Sequence, residues 1–182
     1  MNLKITIYLF LIFSLFSCTN KENNNANENS DLIKDAKTNV IIRPIPNEVL
    51  EKLDDSIKLY YSKLSNLEIW YDNENRSDLI NEIKFSYKEG LNPVDYDLER
   101  IEELELSRNS LNDEQMIHYD ILLTQSYRKL ANHLYKGKTD PKKLYADWDL
   151  YKKEPTLSDS LSVAIKNKKI ATSFKNLKPQ DY

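Results

Sequence analysis

The chain has 182 residues, of which 30% are charged, with a net charge of −3 and only two glycines. So small a net charge does not predict a nucleic-acid partner, because phosphate binding needs a clustered basic face. Gly-rich phosphate loops and strand-to-helix nucleophile turns need more glycine than this chain has. The length is that of one domain with extensions.

Residues 1–17 have the pattern of a lipoprotein signal peptide. Lys4 supplies the positive charge, and the apolar run that follows spans roughly 12 residues, against the ~20 needed to cross a bilayer. The run ends in Leu15-Phe16-Ser17-Cys18, which resembles the lipobox of bacterial lipoproteins. The alternative is an ordinary cleaved signal with a free thiol, but an exported lone thiol is a liability. We therefore predict lipid attachment at Cys18, with membrane lipid as its partner.

Residues 18–46 are predicted to form a lipid-anchored flexible tether. The stretch 19–30 is too polar to offset its own ordering entropy. We expect residues 31–39 to be partly helical, and Val40-Ile41-Ile42 before Pro44 and Pro46 to form an extended entry segment. The expected location is the bacterial cell envelope, as a membrane-anchored lipoprotein facing the periplasm or the cell surface.

Residues 47–182 show the spacing of helices. Apolar residues recur every three or four positions from Leu50 to Leu67, after Asn47 as a cap. Ser77 is predicted to cap a second helix that ends at Gly90, in the left-handed conformation. Asn92 and Pro93 then start a third helix, as cap and first residue.

The strongest helix prediction covers residues 113–136, with Gly137 as its end. Asp140 and Pro141 predict a short helix ending near Tyr145, and a last helix is expected over residues 158–168. The predicted fold is all-α, an irregular helical bundle with aromatic-rich connections, in which Trp148 plugs the core.

Residue chemistry alone predicts no catalytic site, no metal site and no cofactor. His118 and His133 lie on one helix about 22 Å apart, too far to share a metal ion. Asp147 and Asp149 flank Trp148 and would be the only pair resembling a sugar-binding lip; the alternative is that they cap local backbone donors.

Three ordered motifs carry a resemblance to a known family. Gly90-Leu91-Asn92-Pro93-Val94-Asp95-Tyr96 precedes a helix, and Asp120-Ile121-Leu122-Leu123-Thr124 lies within the long one. The exit from that helix contains Gly137, Asp140 and Pro141, and Trp148 follows. This order resembles the N-terminal scaffold domain of YcbB-like bacterial L,D-transpeptidases, which are peptidoglycan cross-linking enzymes.

The resemblance implies a helical domain that packs, in full-length relatives, beside a peptidoglycan-binding module and a catalytic domain with a cysteine nucleophile. Nothing in this chain matches the catalytic motif, so no catalytic residue is carried over. The domain is therefore expected to be truncated at its C-terminal end or to stand alone. Expected partners are peptidoglycan or a catalytic L,D-transpeptidase domain.

Three hypotheses follow from the sequence. The first is a non-catalytic scaffold module of an L,D-transpeptidase in peptidoglycan cross-linking and cell-wall assembly. The second is a helical periplasmic or surface lipoprotein that acts as a binding module in an unrelated pathway. The third is a small glycan-active enzyme that uses Asp147 and Asp149.

Overall fold

The computed structural model describes residues 33–34, 41–139 and 156–178. The two strands are β1 (Ile33–Lys34) and β2 (Ile41–Ile42). The helices are α1 (Asn47–Lys52), α2 (Asp55–Ser62), α3 (Asn73–Lys84), α4 (Leu98–Leu106), α5 (Asp113–Lys136), α6 (Leu157–Asn167) and α7 (Ile170–Lys175). Short 3-10 turns cover Ser86–Glu89, Pro93–Tyr96 and Arg108–Ser110. The predicted all-α class is confirmed.

The short strands lie ahead of the helices and pair antiparallel, with Ile33 opposite Ile42. The partial helix expected over residues 31–39 is therefore wrong at 33–34, which are strand. Ile45 is buried and its N–H donates to the carbonyl of Asn66 at 2.8 Å. The last residues of the expected tether, 41–46, thus lie against the helices that follow.

The first predicted helix is two helices. Asp54 has an extended backbone, and its carboxylate accepts the N–H groups of Ser56 and Ile57, which makes it the N-cap of α2. An aspartate competes with the helical backbone for such donors, so it favours a cap over a helix interior. The apolar spacing continues across the break, which is why spacing alone predicted one helix.

The second helix starts earlier than predicted. Asp72, not Ser77, is its cap and accepts the N–H groups of Glu74 and Asn75. Gly90 has a φ of 73° as expected, although it follows a 3-10 turn rather than α3 itself. Asn92 caps the turn that begins at Pro93, and α4 begins only after Asp97.

α5 has the predicted bounds and is the central element of the core. Asn112 and Gln115 form a capping box at its start, and Gly137 ends it with a φ of 85°. The helix contacts α2, α3 and α4, while α7 packs on α3 and α6. α6 begins one residue before the predicted start, and α7 was not predicted.

Aromatic rings fill the centre of the core. The ring of Tyr127 on α5 lies 6.3 Å from that of Tyr60, 6.0 Å from Trp70 and 4.9 Å from Phe174. Trp70 lies in the connector between α2 and α3 and is buried. Among the residues described, none of the helices is long and apolar enough to cross a membrane.

Candidate functional site

Asp120 and Thr124 of the long-helix motif lie one turn apart on α5, so their side chains share a face. One carboxylate oxygen of Asp120 accepts the backbone N–H groups of Ile69 and Trp70 at 2.9 and 2.7 Å. The other accepts the hydroxyl of Tyr61 at 2.8 Å. Thr124 Oγ1 accepts the indole N–H of Trp70 at 3.0 Å. We call these four side chains, of Tyr61, Trp70, Asp120 and Thr124, the Asp120 network.

Burial dominates the electrostatics of the Asp120 network. Removal from water raises the pKa of Asp120 to about 7, and the charge of nearby Glu68 also raises it, while the two backbone donors and Tyr61 oppose the shift. Glu68 is itself buried and is bound by Arg43. The carboxyl group of Asp120 therefore titrates close to neutral pH.

The geometry of the Asp120 network is that of a clamp. Its donors belong to α2 and to the connector before α3, and its acceptors belong to α5. All four residues are at most 3% exposed. A buried network with paired groups fixes one arrangement of the elements that it joins. We therefore assign it the positioning of the connector on α5.

The first and third motifs meet at the C-terminal end of α5. The hydroxyl of Tyr96 lies 2.8 Å from Nδ1 of His133. Lys138 forms an ion pair with Asp95 at 2.6 Å, and Lys129 donates to the Asp95 carbonyl at 2.6 Å. Burial, with help from Lys129 and Lys138, lowers the pKa of His133. The turn that contains Gly90, Asn92 and Pro93 is thereby tied to the helix exit at Gly137.

A third polar cluster was not found in the sequence. Arg76 on α3 is 4% exposed and binds both oxygens of Glu105 on α4. Its guanidinium also donates to the carbonyls of Trp70 and Tyr71 at 3.0 and 2.9 Å. Tyr119 on α5 donates to Glu105 at 2.6 Å. Because Ser77 was the predicted cap of this helix, Arg76 lay before the predicted start, and no local pattern in the sequence pointed to this cluster.

Several predicted residues lie outside the part of the chain that the structure describes. They are Cys18, Asp140, Pro141, Asp147, Trp148 and Asp149. Of the two histidines, His118 is exposed and His133 is half-buried. In residues 33–34, 41–139 and 156–178, no three potential metal ligands lie close enough together to hold an ion.

Comparison with known protein families gives a match over most of the chain. A family model described as "Scaffold domain" matches residues 55–182, which is most of the chain. No curated protein and no solved structure matches. A scaffold domain is itself non-catalytic. The chain belongs to the family of scaffold domains of L,D-transpeptidases.

Proposed function

We propose that this protein is the non-catalytic scaffold module of a peptidoglycan cross-linking system, held at a membrane by lipid on Cys18. The observation that carries the proposal is the family match over residues 55–182. The clamps described above support it, because they make a rigid body that can hold another domain or a wall strand at a set distance. A catalytic L,D-transpeptidase domain or peptidoglycan is the partner that we expect.

The test in cells is a muropeptide analysis. In-frame deletion of residues 47–182 should lower the fraction of stem peptides joined by L,D-transpeptidase cross-links, because the catalytic domain loses its positioning module. Re-expression of the complete chain should restore that fraction. An unchanged cross-link profile would contradict the proposal and favour the alternative, a helical lipoprotein in an unrelated pathway.

The test in solution concerns catalysis. L,D-transpeptidation needs a nucleophilic thiol, and Cys18 is the only cysteine in the printed sequence. The purified residues 18–182 should therefore form no cross-links between muropeptides that carry tetrapeptide stems. A cross-linked product or an acyl-enzyme detected by mass spectrometry would show that the module is itself an enzyme.

The anchor is tested separately. Cells that are fed a labelled fatty acid should incorporate it into the wild-type protein, and Cys18→Ala should abolish the label. Two or more acyl chains are needed for stable anchoring, since one chain binds membranes reversibly. Label that persists in Cys18→Ala would contradict the lipid assignment without touching the scaffold proposal.

A further inference from the structure

An open cleft of about 610 Å³ lies beside the N-terminal end of α3. Its walls come from β2, from the connector before α3, and from the turn between α4 and α5. The residues that matter for its chemistry are Arg43, Tyr71, Arg76, Arg108, Asn109 and Met116. The volume is in the range of sites that bind small molecules or short peptides.

Two of the three arginines in this cleft are already paired. Arg76 is bound to Glu105, and Glu105 also accepts the hydroxyl of Tyr119. Arg43 binds Glu68 at 3.3 Å and Asp113 at 2.6 Å. The carboxylates of Glu68, Glu105 and Asp113 therefore each already accept hydrogen bonds from an arginine.

The carboxylate of Asp72, which lines the cleft, is also occupied. One of its oxygens caps α3, and the other pairs with Lys168 at 2.7 Å. The cleft and its rim thus hold nearly equal numbers of positive and negative groups. Long-range attraction of an anion is weak for that reason, and any binding must depend on short-range hydrogen bonds.

Arg108 is the third arginine of the cleft and takes no part in these ion pairs. Among the described residues its guanidinium has no hydrogen bond and no ion pair, and its Nε is shielded from solvent. Burial and the neighbouring charge of Arg76 lower its pKa, although the charges of Glu105 and Glu68 oppose that shift. A buried donor without a partner costs free energy and calls for an explanation.

We propose that the cleft binds the carboxylate of a peptide chain end, with Arg108 as its principal ligand. A guanidinium matches the two oxygens of a carboxylate in a fork-like geometry. The side-chain amide of Asn109 can form hydrogen bonds with the last peptide group of the ligand. Tyr71 and Met116 offer an apolar wall for the side chain of the ligand's last residue. A carboxylate fits better than a phosphate, because the second negative charge of a phosphate would meet Asp72, which also lines the cleft.

The site goes beyond the proposed function and does not depend on it. In a cell wall the matching ligand is the end of a peptide stem, which carries a D-amino acid; elsewhere it is the end of an ordinary L-peptide. Both sources share the carboxylate, so the stereoisomers of one probe separate them. A negative result in the muropeptide analysis would not change the expected binding of the probes. A negative result in the binding titration would likewise leave the proposed scaffold function standing.

The experiment is a titration of the full ¹⁵N-labelled chain, followed by NMR at the Nε–H resonance of Arg108 and, in all variants, at the amide resonances of Asn109, which also lines the cleft. The probes are acetyl-lysyl-D-alanine, its L-alanine isomer and the C-terminal amide of each. We expect the acids to shift the Arg108 resonance with a dissociation constant on the order of 1 mM, and the amides to bind about tenfold more weakly. Tighter binding of the D isomer supports a wall stem, and equal binding supports a general peptide-end site.

Variants complete the test. Arg108→Gln should weaken binding about tenfold. The affinity of Arg108→Lys should lie between those of the wild type and Arg108→Gln, because an ammonium group cannot contact both carboxylate oxygens in the fork-like geometry of a guanidinium. Arg100→Gln removes an exposed arginine of α4 that does not line the cleft, and should leave binding unchanged. Arg108→Gln should also keep the melting temperature, since no hydrogen bond is lost. Equal binding of acid and amide, or full binding by Arg108→Gln, would overturn the proposal.

Discussion

A buried carboxyl group at the centre of the core is tolerated because its partners suit either of its protonation states. As a carboxylate, Asp120 accepts from Ile69, Trp70 and Tyr61. As a neutral acid, it can keep the two backbone bonds on one oxygen and donate from the other to Tyr61. The Tyr61 hydroxyl then donates to Thr124 Oγ1, which lies 3.2 Å away.

The raised pKa of Asp120 predicts a pH dependence of stability. The pKa of Asp120 is about 7 in the folded state, against an ordinary value of 3.8. Between these two pH values the folded state therefore binds one proton more than the unfolded state. The contribution of Asp120 to the free energy of unfolding is then greatest below that window and falls as pH rises towards 7, by up to about 4 kcal/mol. His133 acts with the opposite sign, because its pKa is lowered on folding.

Asp120→Asn isolates this effect, because an amide imitates the neutral acid. Its oxygen can accept the two backbone N–H groups while its NH₂ donates to Tyr61. Urea unfolding between pH 5 and pH 8 should show the wild type losing stability relative to the variant as pH rises. Since His133 is present in both proteins, its contribution cancels in the difference. Parallel pH profiles would contradict the assigned pKa.

Thr124 tests the other half of the Asp120 network. Thr124→Val keeps the shape but leaves the buried indole N–H of Trp70 without its acceptor, which should cost about 1–3 kcal/mol. Thr124→Ser is the matched control, because it keeps the hydroxyl and loses only a methyl group. Unfolding by denaturant compares the two, and a valine variant as stable as the serine variant would show that the indole bond contributes nothing.

At the scale of elements, local chemistry decided what could be predicted. The ends of α5 were predictable because an asparagine before acidic residues and a glycine after lysine act within one turn. The start of α3 was not, because Asp72 and Ser77 are both good caps and spacing does not choose between them. α7 has only six residues, too few for a recognisable apolar period.

The contacts between elements were largely beyond the reach of the sequence. Tyr61 and Asp120 are 59 positions apart, and Arg76 and Glu105 are 29 apart. No local pattern joins such residues, so the motif residues were found while the partners that bind them were not. Arg108 was equally invisible, because its lack of a partner depends on how Glu105 and Glu68 are already used.

The capping box of α5 gives an element-scale prediction. The side chain of Asn112 accepts a hydrogen bond from the backbone N–H of Gln115 at 2.9 Å. The side chain of Gln115 in turn accepts one from the backbone N–H of Asn112. Asn112→Ala removes the side-chain acceptor of the Gln115 N–H, and should cost about 1 kcal/mol. Asn81→Ala, in the exposed interior of α3, should be neutral or slightly stabilising. Thermal melts of both variants make the comparison, and equal melting temperatures would contradict it.

At the scale of the whole molecule, the last helix closes the bundle. α7 packs on α3 and α6, and its Ile170 and Phe174 are fully buried. The ring of Phe174 contacts Tyr127, which also meets Tyr60 and Trp70. Residues from α2, α5, α7 and a connector therefore share one aromatic cluster, and the C-terminal part of the described chain belongs to the same core as the first helices.

That arrangement predicts that the domain depends on α7 for its stability. Phe174→Ala removes a fully buried ring from the shared cluster and should cost about 3–5 kcal/mol. Phe85→Ala removes the same side chain from a site where it is 44% exposed, and should cost under about 1 kcal/mol. Domains of this size have total stabilities of ~5–15 kcal/mol, so the first loss is a large share. Chemical denaturation of both variants decides the matter: if Phe174→Ala unfolds no earlier than Phe85→Ala, α7 is an appendage and the cluster is complete without it.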